Sequence, residues 1–130
     1  MFLRAYNKKD MAFPQINFKF NGIERAEELS KLVAHKFESL GKFIKEGVPA
    51  LCEVEFEKVA DHKKGKLYRV EINLTINGTL HRAEATEETF EVAIDEVKNE
   101  LDKEIRRSKD KRDSLIKRAG RNLKEKFFKK

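Results

Sequence analysis

The fold is decided by a stretch in the middle of the chain, residues 68–85, which reads YRVEINLTINGTLHRAEA. Its first nine positions alternate apolar and polar residues, a pattern typical of a strand with one buried face. Asn77 and Gly78 follow, and this pair favours a type I′ turn, which needs positive φ at both central residues. We therefore predict a hairpin in which Thr75 faces Leu80.

Two earlier stretches alternate in the same way. Residues 16–20 predict a strand that ends at Asn21-Gly22, and residues 52–57 alternate Cys, Val and Phe with three glutamates. Alternating glutamates on a strand are more typical of a solvated face than of an acid/base or metal site. Cys52 lies among the inward positions, so we interpret it as a small buried hydrophobe, with a reactive thiol as the alternative. Residues 61–66 predict a basic loop.

Two other stretches place apolar residues three or four positions apart, which predicts amphipathic helices. The first helix is expected over about residues 24–41. The second is expected to begin at Thr86, to run to about 112, at most to 118, and to meet its first break at Gly120. The predicted apolar stripes are Ala26, Leu29, Val33, Phe37, Leu40 and Ile44 in the first helix, and Phe90, Ala93, Ile94, Val97, Leu101 and Ile105 in the second.

The resulting order is β-α-β-β-β-α, an α+β fold in which a four-stranded sheet carries two helices packed on one face, as in double-stranded-RNA-binding domains. We expect one domain over residues 14–112. Residues 1–13 show no periodicity and are expected to form a flexible N-terminal extension. Residues 113–130 are expected to form a basic C-terminal tail.

The charge is distributed unevenly. Residues 111–130 hold nine Lys or Arg against two acids, a net +7, which leaves −1 for residues 1–110 out of the total of +6. A basic tail on a nearly neutral body suits a polyanionic partner, although a solubilising tail has the same composition. The single cysteine cannot form an intrachain disulfide, and the sequence shows neither a membrane-spanning run nor a signal peptide. A cytoplasmic protein is expected.

The patterns of common enzymes are missing from the sequence. It contains no Gly-rich phosphate loop and no paired Cys or His ligands, and no nucleophile motif surrounds any of its three histidines. We therefore expect a binding protein with no catalytic residue, metal or cofactor. His81 pairs opposite Leu74 in the predicted hairpin, so a structural role is favoured over an RNA contact.

Three stretches in this order resemble the ribosome hibernation promoting factor family, also called ribosome-associated inhibitor A or the sigma-54 modulation protein family. They are residues 28–43 on the first helix, residues 68–83 on the hairpin, and residues 88–95, whose acidic, aromatic and Ala-Ile-Asp pattern opens the second helix. The resemblance covers about residues 14–112. It corresponds to the short form of the family, without the C-terminal domain of the long members.

The resemblance implies a stress or stationary-phase factor that binds the small ribosomal subunit and its ribosomal RNA. It implies that the protein occupies the channel for messenger and transfer RNA and so inhibits translation. Nothing in the sequence requires more than one copy of the chain, so a monomer is expected. It also implies an RNA surface along the two helices. Glu100 stands where the family commonly has a basic residue, and Glu104 stands near its usual glutamine, two departures that would weaken an RNA contact there. The predicted RNA-binding residues are Lys31, His35, Lys36, Lys42, Arg69, Arg82, Lys98, Arg106, Arg107, Lys109, Lys111 and Arg112.

Two other functions remain open at the level of the sequence. One is a double-stranded-RNA-binding module that is not tied to the ribosome, because the order α-β-β-β-α is also typical of that fold. The other is a protein-interaction module that modulates a transcription factor, in which the open sheet face or the acidic second strand makes the contact.

Overall fold

The computed structural model describes residues 13–59 and 67–128, the last seven of them as backbone alone. The elements follow the predicted order β-α-β-β-β-α, with a short 3₁₀ helix after the first α-helix. They are β1 (Ile16–Asn21), α1 (Ala26–Phe37), the 3₁₀ helix (Glu38–Phe43), β2 (Ala50–Lys58), β3 (Tyr68–Ile76), β4 (Thr79–Glu87) and α2 (Phe90–Phe128).

The four strands form one sheet in the order β1-β2-β3-β4. β1 is parallel to β2, and the other two pairs are antiparallel. The predicted hairpin is confirmed, because Thr75 lies opposite Leu80 and the turn has positive φ at Asn77 (50°) and Gly78 (83°). This register determines which side chains of β3 and β4 point toward the helices.

Both helices pack on one face of the sheet, and a single hydrophobic core lies between them. The predicted stripes are buried except at Ala26, which is half-buried. Phe56 joins β1, β2 and α2, since its ring centroid lies 5.0 Å from that of Phe20 and 5.5 Å from that of Phe90. A fully buried side chain of this kind contributes roughly 1.5–3 kcal/mol through removal of its surface from water.

The predicted start of the second helix at Thr86 is wrong by several residues. Thr86 belongs to β4, where it lies opposite Arg69, and α2 begins only at Phe90. The cap is Thr89, whose hydroxyl accepts a hydrogen bond from the backbone N–H of Val92 at 3.1 Å. Strand pairing with β3 extends to Glu87, and this non-local contact outweighs the local capping signal at Thr86.

The predicted end of α2 is also wrong. The helix has 39 residues, about 58 Å at 1.5 Å per residue, and it continues through Gly120. A glycine costs a helix interior only about 1 kcal/mol relative to alanine, and it ends a helix when it adopts positive φ, which Gly120 does not. Among the side chains that the structure describes, Ile105 is the last buried one and residues 109–121 are all exposed, so α2 continues beyond the core as a helical arm, residues 106–128.

Parts of the predicted N-terminal extension and C-terminal tail lie outside the described residues, namely residues 1–12 and 129–130, and so does the predicted basic loop at 61–66. Phe13, at the end of the predicted N-terminal extension, packs edge-on against Phe37 with their ring centroids 6.2 Å apart. Along the described parts of the chain, no helix has both the length and the apolar character needed to cross a membrane.

The Cys52 thiol is expected to be unreactive in the native protein. Its side chain is fully buried opposite Leu74, and burial, followed by the nearby charge of Glu53, raises its pKa to about 12. Because the thiolate is the nucleophile, a water-soluble thiol reagent should label native protein far more slowly than protein in denaturant. Labelling of native protein at the rate of a small free thiol would contradict the buried placement.

Candidate nucleic-acid interface

The first feature of the site is the line along which α1 and the 3₁₀ helix meet α2, which we call the helix seam. Arg25 pairs with Glu91 and Lys36 pairs with Asp95, both across the seam. Arg25 lowers the pKa of Glu91 chiefly through a hydrogen bond, so this carboxyl stays ionised. These contacts align the two helices over the sheet.

Further along the seam, Asp102 is shared by two cations. Lys42 Nζ lies 4.0 Å from one of its oxygens, and Arg106 Nε donates a hydrogen bond to the other at 2.5 Å. The same two cations lie over the ring of Phe43, with Lys42 Nζ 5.3 Å and Arg106 Cζ 5.2 Å from its centroid. Such cation–π contacts restrict the two long side chains near the helix surface.

Five of the predicted RNA-binding cations lie along the seam. Lys98 follows Asp95 by three residues and precedes Asp102 by four, so it shares their side of α2. Lys109 follows Asp102 by seven residues and lines the same groove as Lys42. We call this set the seam cations, and they are Lys36, Lys42, Lys98, Arg106 and Lys109.

Of the five other predicted residues on the helices, four lie beside the seam and one lies at its end. Lys31 and His35 are exposed on the outer side of α1, where Lys31 pairs with Glu27 at 3.3 Å. Arg107 and Lys111 lie on the opposite flank of α2, and Arg107 is 3.7 Å from Glu100. The fifth, Arg112, lies at the end of the seam nearest the β3–β4 hairpin, where it lines the same groove as Lys42 and Lys109.

The structure places Arg69 and Arg82 on the other face of the sheet, apart from the helices. Arg69 donates to Glu84 at 2.5 Å and to Glu71 at 2.9 Å, and Arg82 donates to Glu71 at 2.5 Å. Burial raises the pKa of Glu71, but the hydrogen bonds and charges of the two arginines outweigh it and lower the pKa overall. Both guanidinium groups thus lie among the carboxylates of the sheet face and do not belong to the helix seam.

The open face of the sheet is acidic. The outward residues of the four strands include three cations and five carboxylates, a net charge of −2. The helix side instead carries the seam cations and the basic arm. The outward charged residues of the sheet are the cations Lys19, Arg69 and Arg82 and the carboxylates Glu53, Glu55, Glu57, Glu71 and Glu84.

His81 has a structural environment. It is 5% exposed and lies opposite Leu74, as the hairpin register predicts, and its Nδ1 lies 2.5 Å from Oε2 of Glu104. Because a carboxylate oxygen accepts, His81 donates this bond and so ties β4 to α2. Glu104, suspected from the sequence of weakening RNA contact, is therefore a structural partner of the histidine.

Sequence reasoning missed the acidic members of the seam. Asp95 and Asp102 are seven residues apart on one helix face, a spacing that places both on the same side of α2. That spacing was a usable signal, but their partners Lys36 and Lys42 lie in a distant part of the chain.

Among the described residues, no group of three or more potential metal ligands is present.

The family model described as Sigma 54 modulation protein / S30EA ribosomal protein matches residues 16–113. The Thermus thermophilus protein Y N-terminal domain has a similar structure, with a TM-score of 0.58, 20% identity and coverage of 70% of this chain and 93% of that one. A ribosomal subunit interface protein from Coxiella burnetii gives a TM-score of 0.57 at 18% identity, covering 72% and 96%. A comparison with curated proteins returned no match.

Proposed function

Because the chain belongs to the sigma 54 modulation protein / S30EA ribosomal protein family, we propose that it binds the small ribosomal subunit through ribosomal RNA. In this proposal it acts as a short hibernation factor that occupies the messenger and transfer RNA channel during stress or stationary phase. Inhibition by occupancy requires no catalytic residue and no cofactor, and one copy of the chain suffices. The Coxiella burnetii relative is itself described as a ribosomal subunit interface protein.

The observation that carries this proposal is the line of cations along the helix seam, which the open sheet face lacks. The five seam cations outnumber the two aspartates beside them, Asp95 and Asp102, so phosphates are attracted to the seam. They are repelled by the open sheet face with its net charge of −2. Long-range electrostatics of this kind orients a protein as it approaches RNA. The helix side is therefore the surface that we expect to contact ribosomal RNA.

The helical arm adds a second basic surface to this proposal. Residues 109–121 are all exposed, and Lys117, Arg118 and Arg121 have no carboxylate within ion-pair distance among the described residues. Repulsion between two such arms opposes self-association of the chain through this helix. We infer that the arm contacts phosphates next to those bound by the seam.

Salt dependence tests the electrostatic origin of binding. If the five seam cations each neutralise one phosphate, the slope of log Kobs against log salt is expected to be about −3.5 to −4.5, and contacts from the arm make it steeper. Co-sedimentation with purified small subunits across a salt series measures this slope. Absence of co-sedimentation even at low salt would contradict the proposal.

The duplex-binding alternative makes a different prediction in the same assay. An RNA duplex of unrelated sequence should compete weakly with small subunits if the ribosome is the partner, because the folded ribosomal RNA offers more matched contacts. A preference for the duplex would favour the double-stranded-RNA-binding module instead.

A further inference from the structure

A groove opens at the end of the helix seam nearest the β3–β4 hairpin, where three parts of the fold meet. Its walls come from the 3₁₀ helix and the turn after it, from the end of β3 with its hairpin, and from α2 near its last buried turn. The volume is about 350 Å³, within the range of small-molecule sites. This is the size of one nucleotide and too small for an RNA duplex.

The groove concentrates unpaired positive charge. Four of its lining residues are cations (Lys42, Lys45, Lys109 and Arg112), and Asp113 is the one carboxylate among the lining residues. Within the described parts of the chain, Lys45, Lys109 and Arg112 have no carboxylate within ion-pair distance, whereas Lys36 higher on the seam is paired with Asp95. A cleft with low-dielectric walls focuses the field of such charges, so an anion binds best there.

The remaining lining residues are largely apolar. Ile76 and Phe43 are half-buried and Ile105 is buried, so the groove offers a hydrophobic wall beside its cations. A duplex presents phosphates but keeps the faces of its bases stacked, whereas an unpaired nucleotide has a free face and a phosphate together. Cations and an apolar wall in one groove therefore match an unpaired nucleotide.

We propose that this groove binds one unpaired RNA nucleotide, with its phosphate among Lys45, Lys109 and Arg112 and its base or ribose against Ile76 and Phe43. The proposal rests on the proposed function in that the RNA is taken to be ribosomal. It adds Lys45, which was absent from the residues predicted by sequence. It also adds a ligand chemistry, since a seam that contacts only phosphates would not distinguish unpaired from paired RNA.

The test uses the full chain labelled with ¹⁵N and two probes, a short single-stranded oligoribonucleotide and its duplex. We expect the single strand to shift the amide signals of Asn77 and Lys109 and inorganic phosphate to compete with it. The variant Lys109→Gln/Arg112→Gln should bind the single strand at least about tenfold more weakly at 0.1 M salt. The control Lys19→Gln/Lys103→Gln removes the same charge outside the groove and should bind within about twofold of the unmodified chain.

Three results would overturn the assignment. They are equal weakening in both variants, shifts that leave Asn77 and Lys109 unaffected, and duplex binding at the groove as strong as single-strand binding. Co-sedimentation of the same proteins with small subunits separates this outcome from the proposed function. If the unmodified chain sediments with subunits but the groove fails these tests, the proposed function stands and the groove assignment is wrong. If the groove passes these tests but the chain does not sediment with subunits, only the proposed function is wrong.

Discussion

Reversal of charge at Lys98 and Arg106 to glutamate is expected to weaken binding to the small ribosomal subunit by at least about 100-fold at 0.1 M salt. Each cation that neutralises a phosphate contributes nearly one unit of salt slope, and each glutamate adds repulsion at the same place. Arg106 is 57% exposed, so the change leaves the core intact. Sedimentation with purified subunits measures the loss, and circular dichroism checks that the fold is retained.

The matched control is Lys19→Glu/Lys58→Glu, which changes the net charge by the same amount away from the seam. Lys19 is exposed on the open sheet face, and Lys58 is exposed at the end of β2. Binding of this variant is expected to remain within a few-fold of that of the unmodified chain. Equal loss in both variants would show that net charge, not the helix seam, determines binding, and no loss in the seam variant would place the ribosome contact elsewhere.

The fold was predictable where local patterns and the core agree. Alternation with an Asn77-Gly78 turn specified the hairpin register, and the apolar stripes of both helices identified nearly all of their buried residues. The ends of α2 were not predictable from the same patterns. Its start depends on strand pairing between β3 and β4, and its continuation over residues 109–121 involves exposed residues without periodic burial. The start of α2 depends on contacts between distant residues, and its far end depends on the absence of packing. Neither is encoded in the local sequence.

The candidate site was predictable in its cations but not in their pairing. The basic residues of both helices were recognised, yet the aspartates that hold Lys36 and Arg106 become partners only when the fold is known. Arg69 and Arg82 show a signal that could have been used. The alternation that buries Val70 also turns Arg69 outward, away from the helices. Lys45 lies in a turn without periodicity, so only the three-dimensional groove identifies it.

Truncation of Phe56 to alanine is expected to lower the free energy of unfolding by about 3–5 kcal/mol, a large part of the roughly 5–15 kcal/mol that holds a domain of this size together. Its side chain is fully buried, and its ring lies among those of Phe18, Phe20 and Phe90. The loss combines the removed surface with the cavity that remains between β1 and α2. Thermal unfolding followed by circular dichroism should show a midpoint at least about 10 °C lower.

The matched control for this truncation is Leu80→Ala on the open face of the same sheet. Leu80 is 57% exposed, so its truncation should change the free energy of unfolding by about 0.5 kcal/mol or less. The contrast tests whether the helices cover one face of the sheet only, since a helix on the open face would bury Leu80 as well. Similar shifts in both variants would contradict a core confined to the helix side, and with it the separation of the seam cations from the acidic open face.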